Sequence, residues 1–207
     1  MRFSSSHSVT AEHRLVGWGF WLQWLLAAIV GLAVGMAVGL SVAFAVSLFL
    51  GVFMTKGFAV VLVAPVAGAV VGAMIGMMQR YVLDRHDTQT SGWVLSSVLG
   101  WAAGLALGWV VGKAWGVALG MVLAGAGAGA GTGLMQLLVL RRQIPRVEWW
   151  VLASILGWTI GLALGWVVAR EVAWGATLGV PVAGTVAGAI TGVAMVWLLR
   201  QPSVDPR

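Results

Sequence analysis

The chain has 207 residues, 60% of them hydrophobic and only 9% charged, with a mean hydropathy of +0.98. A soluble domain needs about a quarter charged residues to cover its wet surface, so a water-soluble globular fold is excluded and an all-α, polytopic membrane protein is expected. The formal charge of +6 sits on basic residues between apolar segments rather than on a basic face, which excludes nucleic acid and makes anionic headgroups at the cytoplasmic leaflet the expected partner. With no cysteine, disulfides, thiolate metal sites and cysteine nucleophiles drop out.

In chain order, residues 1–15 form a polar tail, "MRFSSSHSVTAEHR" followed by Leu15. The apolar run after it is far longer than a signal-peptide core and no small-residue cleavage site intervenes, so the tail is expected to be retained. Three helical hairpins follow, over 16–83, 91–142 and 148–200, and a second tail covers 201–207. The predicted passes are 18–42, 57–81, 92–112, 115–139, 149–169 and 173–199. A pass of about 21 residues rises about 31 Å as a helix, enough to cross the hydrocarbon core.

The hairpins read as copies. "WVLSSVLGW" (93–101) matches "WVLASILGW" (150–158), and the match runs on through Lys113 and Arg170 to Arg141 and Arg200. The first copy, from "WLLAAIVGLAVGMAVG" (24–39) to "APVAGAVVGAMIGMMQRYVL" (64–83), is divergent: Leu32 and Leu40 stand where the second copy has Trp101 and Trp109. It also carries an apolar insert near 41–52, which is read as an interfacial or re-entrant piece or a helix extension. A split of residues 15–55 into two passes, turning near Gly35 to Gly39, would make seven passes. Six passes place nine arginines on the side of the tails against Lys56, Lys113 and Arg170 at the hairpin tips, and so put both termini in the cytoplasm of a multi-pass cell (inner) membrane protein. Seven passes degrade that split to seven against five.

Glycine recurs every fourth residue in all six passes: Gly31, Gly35 and Gly39; Gly68, Gly72 and Gly76; Gly100, Gly104 and Gly108; Gly125, Gly129 and Gly133; Gly157, Gly161 and Gly165; Gly184, Gly188 and Gly192. Lipid tails are as apolar as leucine, so helices associate through close backbone approach over small residues, and these glycines are the expected packing code. Pro65 and Pro181 fall at equivalent places and are expected to bend the second and sixth helices alike.

Tryptophans 18, 21, 24, 93, 115, 149, 150, 174 and 197 fall near predicted ends, where indoles mark the membrane interface. Trp101 and Trp158 lie about eight residues inside their helices; they either fill the groove over facing glycines or form an aromatic wall for a lipid, quinone or pigment. Gln79 and Gln136, at equivalent positions, are expected to bond between helices, with headgroup recognition as the alternative.

All six acidic residues and all three histidines fall in tails or junctions. The chemistry of proton relays, metal clusters and general acid–base sites is therefore missing from the predicted passes. "DRHDTQ" (84–89) reads as a solvated turn rather than a metal site, and "AGAGAGAGTG" (124–133) lacks the strand and soluble βαβ context of a dinucleotide loop. No cofactor is indicated.

"WWVLASILGW" (149–158) and "GLMQLLVLRR" (133–142) resemble a recurrent family of uncharacterised bacterial polytopic membrane proteins that alternate tryptophan-led and glutamine-bearing helices. The likeness covers residues 20 to 200 and implies topology only; Leu32 and Met195 depart from it at the Trp101 and Gln136 equivalents. Mitochondrial carriers also use three two-helix repeats, but their proline–acidic–basic pattern is absent. The expectation is a non-enzymatic membrane scaffold, or a binder of a lipophilic ligand or partner helix, with self-association or a partner membrane protein as further contacts. The alternative is a channel or uncoupled transporter with a weakly polar path along Thr132, Thr159 and Thr191; an intramembrane enzyme ranks below both.

Overall fold

The computed structural model describes residues 17–53, 56–86, 90–141 and 144–201, without the side chains of 51–53, 56–61 and 176. The first tail, residues 202–207 of the second and the latter half of "DRHDTQ" (87–89) lie outside the described residues. Six α-helices account for nearly all of the rest: α1 (Trp18–Phe53), α2 (Lys56–Asp84), α3 (Trp93–Trp115), α4 (Val117–Leu140), α5 (Glu148–Glu171) and α6 (Gly175–Leu199). Each is long and apolar enough to cross a membrane. In hydrocarbon every backbone N–H and C=O must be paired within the segment, so even the glycine-rich stretches adopt helix.

Helices α3 to α6 have 23 to 25 residues, about 35 to 38 Å of rise. Helix α1 has 36, about 54 Å. The apolar insert is thus a helix extension, neither re-entrant nor an additional pass, and α1 runs unbroken through Gly35 and Gly39. The two serines of the extension satisfy themselves locally: Ser41 and Ser47 donate to the carbonyls of Ala37 and Ala43. Pro65 and Pro181 lie inside continuous helices.

Connections at the hairpin tips are minimal. Between α3 and α4 a single residue intervenes, Gly116 at φ 100° and ψ 149°, a conformation open to glycine alone. Trp174, before α6, is left-handed at φ 65° without being glycine.

Among the described residues the backbone of each helix lies close only to those of its chain neighbours, and that of α1 also to α6. Six alternating helices therefore close into a ring, with the start of α1 and the end of α6 at the same end. The glycines divide between two kinds of interface. Those of α1, α3 and α5 face the following helix: Gly31, Gly35 and Gly39 lie against Ile75, Val71 and Ala67; Gly100, Gly104 and Gly108 against Thr132, Ala128 and Ala124; Gly157, Gly161 and Gly165 against Ala187, Ala183 and Gly179. Those of α2, α4 and α6 face the next hairpin round the ring: Gly68, Gly72 and Gly76 meet Trp101, Ser97 and Val94; Gly125, Gly129 and Gly133 meet Trp158, Ser154 and Val151; Gly184, Gly188 and Gly192 meet Ile29, Leu25 and Trp21. A methyl group at Gly104 would lie 2.7 Å from the Ala128 Cα, and one at Gly129 would lie 2.7 Å from the Ile155 Cα, closer than any real Cβ contact.

Candidate functional site

The centre of the ring is built from the inward stripes of α1, α3 and α5. Where the ring carries both helix ends, Trp24, Trp93 and Trp150 meet, with centroids 6.2, 5.8 and 5.9 Å apart. All three are at most 1% exposed. One tryptophan from every second helix of a ring, all in mutual contact, fills the middle of that end. Phe20 stacks on Trp24 at 5.8 Å, and His86 meets Phe20 edge-on at 5.0 Å, adding a further aromatic layer outside the triad.

A buried indole N–H needs an acceptor, and each is supplied by the helix before it round the ring. Trp150 Nε1 donates to Gln136 Oε1 at 2.9 Å, and Trp93 Nε1 donates to Gln79 Oε1 at 3.3 Å, each across a separation of 14 residues. Gln136 Nε2 in turn donates to Ser97 Oγ at 3.2 Å, so it ties α4 to both neighbours. At the third position Met195 replaces the glutamine and cannot accept strongly. There Trp24 Nε1 donates to Thr191 Oγ1 at 3.1 Å, and Thr191 passes its own proton to the Ala187 carbonyl at 2.7 Å. Thr132, one turn before Gln136 as Thr191 is before Met195, is buried with no partner for its hydroxyl. The glutamine has taken the indole N–H that the threonine takes elsewhere.

The tryptophans placed by sequence at the membrane interface thus separate into two groups. Trp18, Trp115, Trp149, Trp174 and Trp197 are exposed, as interface anchors must be, and Trp21 is half-buried with its N–H on the Ala189 carbonyl. Trp24, Trp93 and Trp150 face the centre instead. The signal for them was present: a glutamine 14 residues ahead of a tryptophan occurs twice, at Gln79 with Trp93 and Gln136 with Trp150.

Two turns further along lie Trp101 and Trp158, buried and packed edge to face at 4.7 Å and 82°, with Leu32 in the same cluster. Beyond this layer the centre opens into a cavity of about 170 Å³ between α1, α4, α5 and α6, lined by Leu32, Met36, Met121, Leu162, Trp166 and Val180 together with glycine and alanine. Among the described residues no charged side chain lines it. Sequence reasoning missed the cavity; its trace is Leu32, the unequal member of a layer otherwise filled by tryptophan.

The three threonines considered for a polar path do not stand together. Thr191 is engaged with Trp24, Thr132 lies against Gly100, and Thr159, also unpartnered, lies against Gly125. Charged groups stay at the ends: Arg80 pairs with Asp84 at 3.2 Å, Arg170 with Glu171 at 2.8 Å, and Lys113 sits 5.5 Å from the Trp109 ring. Among the described residues no three histidines or carboxylates come together. Comparison with known families, curated proteins and solved structures finds no match for the chain.

Proposed function

We propose that the chain is a non-enzymatic integral membrane protein that retains a lipophilic molecule inside a ring of three tandem two-helix repeats. The repeats are related by an approximate threefold axis along the membrane normal, as parallel repeats are. Their support is that positions aligned in sequence meet in space: Trp24 with Trp93 and Trp150, and each glycine triplet with one interface. The excess of arginine on the side of the chain ends supports a cytoplasmic location for both termini, in contact with anionic headgroups.

The observation that carries the reading is the centre of the ring: aromatic layers fill it at one end and in the middle, and an uncharged cavity follows. Such a centre favours holding over passing. An apolar hollow of about 170 Å³ suits the apolar end of such a molecule. Purification in mild detergent, followed by mass spectrometry and an absorbance spectrum, is expected to find a stoichiometric lipophile. A protein that comes out empty and conducts solute in liposomes would overturn the reading in favour of a channel.

A further inference from the structure

We propose that the central cavity binds the end of a single alkyl chain, about six carbons of it, and that Leu32 sets how deep the chain enters; this rests on the retention reading above. An apolar cavity of about 150 Å³ holds one six-carbon ring and stays free of water. At about 170 Å³ this cavity has room for a chain end. Chemistry narrows the occupant further. Among the described side chains lining the cavity the Trp166 indole N–H is the only hydrogen-bond donor, so a quinone or sugar would bury at least one carbonyl or hydroxyl without a partner. A methylene chain asks for nothing but contact. Met36 and Met121 are unbranched and polarizable, suited to moulding around it.

Hydrocarbon gains no hydrophobic free energy by moving from bilayer to protein, so the attraction is dispersion with walls that fit the chain. Leu32 decides the depth of the hollow. Trp101 and Trp158 occupy the matching positions in α3 and α5 and pack on each other; a third indole at position 32 would extend into the cavity that Leu32 now borders. The chain end comes from a bilayer phospholipid or from a free fatty acid, which present the same methyl terminus.

Native mass spectrometry of the full chain, released from mild detergent after incubation with phosphatidylglycerol or with palmitic acid, tests this. Wild type is expected to carry one phospholipid or one palmitate per chain, and whichever binds identifies the source. Leu32→Trp and Val180→Phe, which fill the cavity from different helices, are expected to lower occupancy at least fivefold with unchanged or raised Tm. Equal occupancy in both filled variants would overturn the proposal while leaving a lipophile bound elsewhere; no lipophile on any form would overturn the retention reading as well. Should neither variant fold, Trp166 emission, isolated as wild type minus Trp166→Phe, provides the decision. Palmitic acid brominated near its methyl end is expected to quench at least half of it, and no quenching would refute the site.

Discussion

A single indole proton shows how the centre of the ring tolerates unequal partners. Trp150 finds its acceptor on α4 in Gln136, while Thr132, one turn earlier, keeps its hydroxyl against Gly100 of α3 without a partner. Trp24 has only Thr191, because Met195 stands where the glutamine would. Interhelical hydrogen bonds in membranes average about 0.6 kcal/mol and reach about 1.7. Thr191→Val, which orphans a fully buried donor, is therefore expected to destabilise by about 1 to 2 kcal/mol in detergent unfolding. Gln136→Met is expected to be milder, since Thr132 then accepts from Trp150 as Thr191 does from Trp24. The double variant Gln136→Met/Thr132→Val should lose more than the sum of the two singles, and strict additivity would refute the exchange. These partners were half legible in sequence. The glutamines stand out as polar residues in apolar helices, but Trp24, Trp93 and Trp150 look like interface anchors because position along a helix does not reveal which face of it turns inward.

For the helices, the decisive quantity is the separation between backbones, and glycine sets it. Gly104→Ala and Gly129→Ala put a methyl 2.7 Å from the facing Cα and are each expected to destabilise by about 1 to 3 kcal/mol. Gly112→Ala, whose nearest neighbour would be 3.7 Å away, should leave the thermal unfolding of the same detergent-solubilised protein unchanged or slightly higher. The turns carry their own strain. Gly116→Ala is expected to weaken the α3–α4 hairpin by about 1 to 3 kcal/mol, whereas Trp174→Gly relieves a left-handed residue and should stabilise by about 1 kcal/mol. The four-residue glycine period was legible without coordinates. Which neighbour each triplet serves was not, because a period fixes a face and leaves its partner open. The extra length of α1 was also ambiguous: residues 41–52 are apolar but for Ser41 and Ser47, and apolarity alone cannot separate a turn in the membrane from one longer rod.

The whole molecule is a closed circuit whose first and last helices are adjacent. Reporter fusions at the two chain ends are expected to fall on one side of the membrane, and opposite sides would refute an even number of passes. A chain reopened between α2 and α3, with its original ends joined, should retain the ring, since every helix keeps both neighbours; loss of Tm by more than a few degrees would refute this. Apolar runs of membrane-spanning length made six helices legible in the sequence, but closure was not, because it depends on the curvature that accumulates across five interfaces. Closure also imposes an order on biosynthesis. The contact from Trp24 to Thr191 spans 167 residues and cannot form until α6 has left the ribosome. Until then the Trp24 indole lacks its acceptor and the Leu25–Ile29 face its cover, so the sixth helix to arrive completes the packing of the first.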